Sequence, residues 1–235
     1  MLRTLARPLC AWTLTLALPI VLAVASLHIV TDYWFLEWEY RRGGFPADPY
    51  GLSTEQRIEM AGVCVHYLIT GADLSELEAL TLPDGNPAFN SRELRHMDDV
   101  QRVYRGVSIA GIAAAMVAVA SAAVLLLLER PRRHLALGLL RGGGLTLAIL
   151  AAVAAYMALN WTAFFTDFHR LFFEGESWLF DYSDTLIRLF PVRFWIDVAT
   201  LIVALVVVGA VLVSGLSWTY LRRKAPCESQ ASGGG

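Results

Sequence analysis

Four long apolar segments constrain what this chain of 235 residues can fold into. They lie at about residues 10–30, 107–128, 142–161 and 194–218. Each is at or near the roughly 20 residues that an α-helix needs to cross a bilayer. No fifth segment of the chain qualifies. The sequence therefore predicts an all-α membrane protein in which four transmembrane helices form a single domain over residues 1–225.

The basic residues indicate how these segments are oriented. Arg3 and Arg7 precede the first segment, four arginines lie between the second and third, and Arg222, Arg223 and Lys224 follow the fourth. The positive-inside rule then predicts that both chain termini are cytoplasmic. The loops at 31–106 and 162–193 would face outward, and they hold nearly all of the Asp and Glu residues.

The two ends of the chain allow further interpretations. The first apolar segment could be a cleaved signal peptide, because basic residues precede it and Ala23-Val24-Ala25 resembles a cleavage site. The apolar run is long for a signal peptide, which favours a transmembrane helix. Residues 226–235 are predicted to be a disordered tail.

The first outer loop predicts a small extracytoplasmic helical cap. Prolines break the chain near residue 46, and Ser53-Thr54-Glu55-Gln56 has the spacing of a capping box. A helix is therefore expected from there to about Thr70, with Gly71 ending it. Another helix is expected to begin at residues 90–93 and to run into the second apolar segment.

Two histidines in the outer loops are the candidates for chemistry. His96 lies about 11 residues before the second segment and His169 about eight after the third, or roughly 16 Å and 12 Å along straight helices. Both heights fit one site outside the same membrane face. Histidine exchanges protons near neutral pH without help. The competing interpretation is that each is a hydrogen-bonding residue at the interface.

Charged and aromatic neighbours could support these histidines. Glu93 shares a helix face with His96, and Glu93, Asp98 or Asp99 could orient the imidazole through its second ring nitrogen. The candidates to stabilise an oxyanion are Arg57, Arg170 and Tyr104, chosen for their outward location and donor groups. Helix-surface charges, headgroup-binding arginines and a tyrosine of the aromatic belt are the alternative interpretation.

Other classes of function fit the sequence less well. A zinc hydrolase would need His96, His169 and carboxylates to assemble by folding alone, since there is no HExxH motif and no cluster of Cys or His. A bis-histidine haem protein would carry its ligands inside the bundle. Transport is disfavoured because no Asp, Glu or His lies near the middle of an apolar segment. We therefore expect no metal, no cofactor and no nucleic acid partner.

Three stretches of the outer loops resemble a known family. They are EYRRGGFPADPYGLSTEQR at 39–57, FNSRELRHMDDVQRVYRG at 89–106 and FHRLFFEGESWLFDYSDTLIRLFP at 168–191. These stretches are similar to those of the bacterial lipoprotein intramolecular transacylases, the Lit family of integral membrane proteins. The likeness extends over the whole chain with the same four-span plan.

The resemblance implies an acyltransferase of the bacterial plasma membrane whose site faces outward. Such proteins move the sn-2 acyl chain of a diacylglyceryl-modified N-terminal cysteine to the α-amino group of that cysteine, giving a lyso-form lipoprotein. His96 and His169 match the family's outward-facing histidines and would be catalytic. The partners would be diacylated lipoproteins and membrane lipids. The alternative is a non-catalytic lipid- or lipoprotein-binding membrane protein whose aromatic run around His169 holds an acyl chain.

Overall fold

A computed structural model describes residues 2–128, 132–173, 175 and 178–224. These residues are largely α-helical, with an isolated antiparallel bridge between Thr81 and Pro87. The helices of the described residues are α1 (Leu2–Val30), α2 (Tyr33–Arg41), α3 (Thr54–Thr70), α4 (Ser75–Glu78), α5 (Ser91–Leu128), α6 (Arg133–Leu159), α7 (Trp161–Phe172), α8 (Thr185–Leu189) and α9 (Val192–Lys224). The predicted tail at 226–235 lies outside the described residues.

Four helices, α1, α5, α6 and α9, are long and apolar enough to cross a membrane. They contain the predicted apolar segments, except that α6 ends at Leu159, two residues before the predicted end of the third segment, because Asn160 caps the next helix. The prediction of an all-α membrane protein with four membrane-spanning helices is confirmed. Helix α5 begins well before its apolar segment. Its N-terminal part, Ser91–Gly106, carries seven Asp, Glu or Arg residues and therefore precedes the part that crosses the bilayer.

The chain forms two compact units. The first contains the described parts of Met1–Ser26, Ile109–Tyr156 and Ile202–Gly235. Within it, α1 and α6 approach closely at Gly138, where an added Cβ would lie 2.7 Å from the carbonyl oxygen of Ala11. The Thr15 hydroxyl donates to the Gly138 carbonyl oxygen over 3.1 Å. Small residues that let backbones approach are typical of helix packing in membranes.

The second unit contains Leu27–Ser108 and Met157–Leu201. Its core joins α3, α5 and α8 through ten buried residues: Leu52, Met60, Cys64, Tyr67, Leu77, Ala88, Phe89, Met97, Leu186 and Leu189. Burial of apolar side chains is the main stabilising contribution to such a cluster. Met97 is part of this core. The core therefore fixes the position of the N-terminal turns of α5 and of His96, the residue before Met97.

Two helix ends in the second unit follow directly from the sequence. Ser53 Oγ accepts from the Gln56 N–H over 3.2 Å while Gln56 Oε1 accepts from the Ser53 N–H over 2.8 Å, which is the predicted capping box of α3. Gly71 ends α3 in the left-handed conformation, at φ 69°.

Asn160 separates α6 from α7, and its side chain accepts from the Ala163 N–H over 3.0 Å. His169 therefore lies on its own short helix.

Candidate active site

The second unit brings His96 and His169 together. His96 lies in the second turn of α5, and His169 lies near the end of α7. Their ring centroids are 6.2 Å apart and the two rings are nearly parallel, with 22° between their planes. Two imidazoles in this arrangement can interact with one substrate molecule at the same time.

The tautomer of His169 follows from its hydrogen bond. Nδ1 lies 2.7 Å from the carbonyl oxygen of Phe165, one turn earlier on α7. A carbonyl oxygen only accepts, so Nδ1 carries the hydrogen, and a neutral ring then has its lone pair on Nε2. Burial lowers the pKa of His169, although this hydrogen bond opposes the shift. At neutral pH His169 is therefore an imidazole that can accept a proton at Nε2.

His96 is also neutral at physiological pH. Burial, and secondarily the neighbouring His169, lower its pKa from 6.5 to about 4. Its Nδ1 atom is buried and has no hydrogen-bond partner among the described residues. Buried polar atoms are normally paired. The described residues thus leave the hydrogen-bonding capacity of this nitrogen unused.

Aromatic side chains form the surroundings of both imidazoles. Phe173 and Phe180 lie 4.9 Å and 5.2 Å from the His96 ring, centroid to centroid. Phe165 and Trp178 lie 4.1 Å and 4.9 Å from the His169 ring. These apolar rings displace water from the imidazoles, which disfavours the charged form and explains the direction of both pKa shifts.

The aromatic run of α7 contributes both to the site and to an exposed face. Phe165 and Phe168 contact the ring of His169, with ring centroids 4.1 Å and 5.5 Å away. Phe168, Leu171 and Phe172 are 45%, 75% and 40% exposed and give α7 an apolar face that no described residue covers fully. The two interpretations of the aromatic run, part of a pocket or part of the lipid interface, are therefore compatible, and Phe168 fits both.

The carboxylates expected to orient His96 are engaged elsewhere. Glu93 accepts from the backbone N–H groups of Asn90 and Leu186, each over 2.8 Å. Asp98 and Asp99 both bind the guanidinium of Arg102. Among the described residues no carboxylate is bonded to His96 Nδ1, and a role of Glu93, Asp98 or Asp99 in orienting the imidazole stays a prediction. Arg102 lies within about one helical turn of Asp98 and Asp99, a spacing that the sequence shows, whereas Leu186, which donates to Glu93, comes from α8 and is not visible in a local pattern.

Two of the three proposed oxyanion donors also have other contacts. Arg57 is buried, with its guanidinium 5.0 Å from the Tyr40 ring and its Nη1 donating to the Pro46 carbonyl oxygen over 2.8 Å. The Tyr104 hydroxyl lies 2.9 Å from Nδ1 of His28. Arg170 is exposed and follows His169 directly on α7. It remains the donor candidate closest in sequence to the imidazole pair.

Trp178 and Phe180 were not among the residues singled out from the sequence. Both lie between α7 and α8 and contact an imidazole of the pair. A signal was present, because both fall inside the stretch at 168–191 that resembles the family. Their role depends on ring contacts with α5 and α7, which residue spacing does not reveal.

A surface cavity of about 500 Å³ lies elsewhere in the second unit, and neither histidine of the pair lines it. Four of its polar residues form two contacts, with Arg41 Nη1 3.6 Å from Glu55 Oε1 and His66 Nε2 3.9 Å from Glu76 Oε2. Among the described residues, no group of three or more His, Cys, Asp or Glu could hold a metal ion.

The fold and site together define a multi-pass membrane protein with a pair of neutral imidazoles in an aromatic environment outside its apolar segments. The family model for lipoprotein intramolecular transacylase Lit matches residues 11–195. The chain therefore belongs to the lipoprotein intramolecular transacylase (Lit) family, and the family's reaction is an acyl transfer. An uncharacterised protein of Aquifex aeolicus is 30% identical over 199 residues, which cover 85% of this chain and 88% of that protein.

Solved structures agree with the fold. The membrane integral lipoprotein intramolecular transacylase Lit from Bacillus cereus has a TM-score of 0.78 at 23% identity, covering 93% of this chain and 97% of that one. A variant of the same protein with a histidine replaced by alanine has a TM-score of 0.73 at 23% identity, covering 93% and 95% of the two chains. A variant with arginine in place of a histidine has a TM-score of 0.72 at 22% identity, covering 96% and 95%.

Proposed function

We propose that this protein is a lipoprotein intramolecular transacylase that moves the sn-2 acyl chain of a diacylglyceryl-cysteine to the α-amino group of the same cysteine. The observation that carries the proposal is the stacked pair of neutral imidazoles, His96 and His169, with His169 Nε2 free to accept a proton. In this proposal both histidines are catalytic residues, and the product is a lyso-form lipoprotein.

The reaction moves one proton from nitrogen to oxygen. The neutral α-amine attacks the ester carbonyl and closes a ring through the cysteine Cα and Cβ, the thioether sulfur and two glycerol carbons. His169 Nε2 accepts the proton that the attacking nitrogen loses. The ester C–O bond then breaks, and the glycerol oxygen takes up a proton. In this relay His169 passes its proton to one ring nitrogen of His96, and His96 releases the hydrogen of its other ring nitrogen to the glycerol oxygen, so both imidazoles end neutral.

The lowered pKa values suit this role. An α-amino group has a pKa of about 7.7 to 8.0, so a reactive neutral fraction exists at neutral pH. Two uncharged imidazoles do not repel the ammonium form electrostatically, and they can accept a proton once the amine has attacked. Conversion of an ester to an amide is favourable, and attack within one molecule can reach effective molarities of about 10⁵ M. The transfer therefore needs no external energy source.

The negative charge on the carbonyl oxygen needs a donor in the transition state. Arg170 is the candidate, because it is exposed beside His169, while Arg57 and Tyr104 have other contacts. Preorganised donors of this kind typically contribute about 10² to 10³ in rate. Arg170 would act as a charged donor at the edge of the aromatic environment.

The site is proposed to face the extracytoplasmic side, with both chain termini in the cytoplasm. Support comes from the segregation of charge in the sequence, where arginines cluster next to the termini and between the second and third apolar segments. The donor and acceptor groups of the substrate would then be presented at the outer leaflet, next to the exposed apolar residues of α7.

Tandem mass spectrometry of a reporter lipoprotein tests the function. The reporter is co-expressed with this protein in a bacterial host that lacks N-acylation, and its N-terminal peptide is fragmented. Intact mass does not suffice, because the product is an isomer of the substrate. We expect one acyl chain on the cysteine nitrogen and one on glycerol with the parent protein, and none on nitrogen with His96→Ala or His169→Ala.

His66→Ala is the matched control, because His66 is an exposed histidine on α3 that contacts Glu76 and not the imidazole pair. It should leave product formation unchanged. If inserted parent protein leaves every reporter diacylated only on glycerol, the transacylase proposal is wrong. The exposed apolar face of α7 would then favour the lipid- or lipoprotein-binding alternative.

A further inference from the structure

Side-chain hydrogen bonds join the N-termini of α5 and α8. Glu93, on α5, accepts from the Leu186 N–H in the first turn of α8 over 2.8 Å. In return Asp184, which precedes α8, accepts from the Asn90 side-chain amide over 3.1 Å at the start of α5. Asp184 makes no capping bond to its own helix. A side chain from α5 thus bonds the start of α8, and a side chain from the turn before α8 bonds the residue before α5.

Arg92 adds an ion pair to this junction. Its Nη2 lies 2.7 Å from Asp184 Oδ2, and its guanidinium lies 5.6 Å from the centroid of the Phe180 ring. The same Asp184 oxygen accepts from the Asp181 N–H over 2.9 Å. Asp184 therefore bonds both the backbone of Asp181, immediately after Phe180, and the Arg92 side chain, which lies over the Phe180 ring.

The position of Phe180 matters because this ring contacts His96. The two ring centroids are 5.2 Å apart, with 69° between the ring planes. His96 lies one helical turn beyond Arg92 on α5. The Phe173 ring also contacts His96, with its centroid 4.9 Å away. Loss of the Phe180 contact would open one side of the imidazole to water.

We propose that Asp184 and Arg92 are positioning residues that hold Phe180 against His96 and so keep water away from this imidazole. Neither residue has a described contact with the imidazole pair, so both act through Phe180. The inference rests on the proposed function only in giving His96 a catalytic role. The physical claim, that the ion pair controls the environment of His96, stands separately.

The titration of His96 reports on this environment directly. His169, on α7, is the titratable group that faces His96. On α5, Arg92 and Glu93 contact α8 and its preceding turn, and on that turn Asp184 contacts Arg92. Entry of water beside His96 would favour its charged form, so its pKa would rise towards the ordinary value of about 6.5.

The experiment is an NMR titration of the full-length protein with labelled histidine side chains in detergent micelles, without substrate. His96→Gln assigns the His96 signal. In Asp184→Asn and in Phe180→Ala, we expect the midpoint of His96 to rise by about one pH unit or more relative to the parent protein. The double variant should show little further rise, because both changes remove the same contact.

Asp181→Asn is the matched control. Asp181 lies 3.7 Å from Arg92 but its side chain is 82% exposed, against 13% for Asp184. In Asp181→Asn the titration midpoint of His96 should stay within a few tenths of a pH unit of the parent value. Arg92→Gln replaces Asp184→Asn if the latter fails to insert, with the same expected rise.

Two results would overturn the inference. An unchanged His96 midpoint in Phe180→Ala would mean that Phe180 does not shield the ring. A rise in Phe180→Ala without one in Asp184→Asn or Arg92→Gln would mean that the ion pair does not position Phe180. Because no substrate is present, failure of the acyl-transfer proposal leaves this measurement unaffected. Under that proposal, the same variants should also slow product formation by about 10-fold or more at an unchanged KM.

Discussion

His169 Nδ1 donates a hydrogen bond of 2.7 Å to the carbonyl oxygen of Phe165, one turn earlier on the same helix. The bond does two things at once. It holds the imidazole in one orientation, and it reserves Nε2 as the nitrogen with a lone pair. A local backbone contact thus takes the place that a carboxylate fills in many histidine-dependent sites.

Replacing His169 with asparagine separates these two roles. The asparagine amide can still donate to the Phe165 carbonyl, but it has no basic nitrogen. We expect His169→Asn to keep its thermal stability close to that of the parent protein while product formation falls about 10² to 10⁴-fold. Mass spectrometry of the reporter peptide and a thermal unfolding assay check the two parts. Product formation within a few fold of the parent would show that His169 is not the base.

The pH dependence of acyl transfer should reflect the amine and not an imidazole. Burial lowers the pKa of both histidines, and that of His96 to about 4, so both remain neutral as the pH falls through 7. The substrate amine becomes protonated below about 7.7 to 8.0. We expect the rate with a diacylated lipopeptide to fall as the pH falls below this range. An acidic limb centred near 6.5 would instead indicate an imidazole with an ordinary pKa.

The same shift predicts a loss of stability in acid. In the unfolded chain His96 titrates near 6.5, but in the folded protein its pKa is about 4. Between these values the unfolded state binds more protons, so the free energy of unfolding decreases as the pH falls from about 6.5 towards 4. His96→Gln should reduce this dependence, measured as unfolding temperature against pH in detergent.

Glu93 should matter for stability more than the other acidic residues near His96. Its carboxylate is buried and accepts from two backbone N–H groups, at Asn90 and Leu186. In Glu93→Gln one of those N–H groups would face an amide donor, and we expect a loss of about 1 to 3 kcal/mol in the free energy of unfolding. The control is Asp99→Asn, which removes a pair with the exposed Arg102 and should lower the free energy of unfolding much less. Equal losses in the two variants would contradict this assignment.

The parts of the structure that were predicted are those that local sequence determines. The apolar segments, the capping box of Ser53 and Gln56, and the helix running from residue 91 into the second segment all depend on neighbours within a few turns. The partners of Glu93 and Arg57 depend on residues that lie far away in the chain or across a loop. Helix spacing placed Glu93 on the His96 side of α5, but its actual partner, Leu186, comes from α8.

Close packing of α1 and α6 gives a prediction within the membrane-spanning helices. A Cβ at Gly138 would lie 2.7 Å from the Ala11 carbonyl oxygen, closer than carbon and oxygen can approach without a shift of backbone. We expect Gly138→Ala to lower the free energy of unfolding by about 1 to 3 kcal/mol, the usual cost of overpacking. Gly144 lies on the same helix with no atom within 4 Å of the position of its Cβ. Gly144→Ala should therefore be neutral or slightly stabilising, because alanine favours a helix by about 1 kcal/mol over glycine. Unfolding temperatures of the two variants in the same detergent decide the matter: if they match, α1 and α6 are not in contact at Gly138.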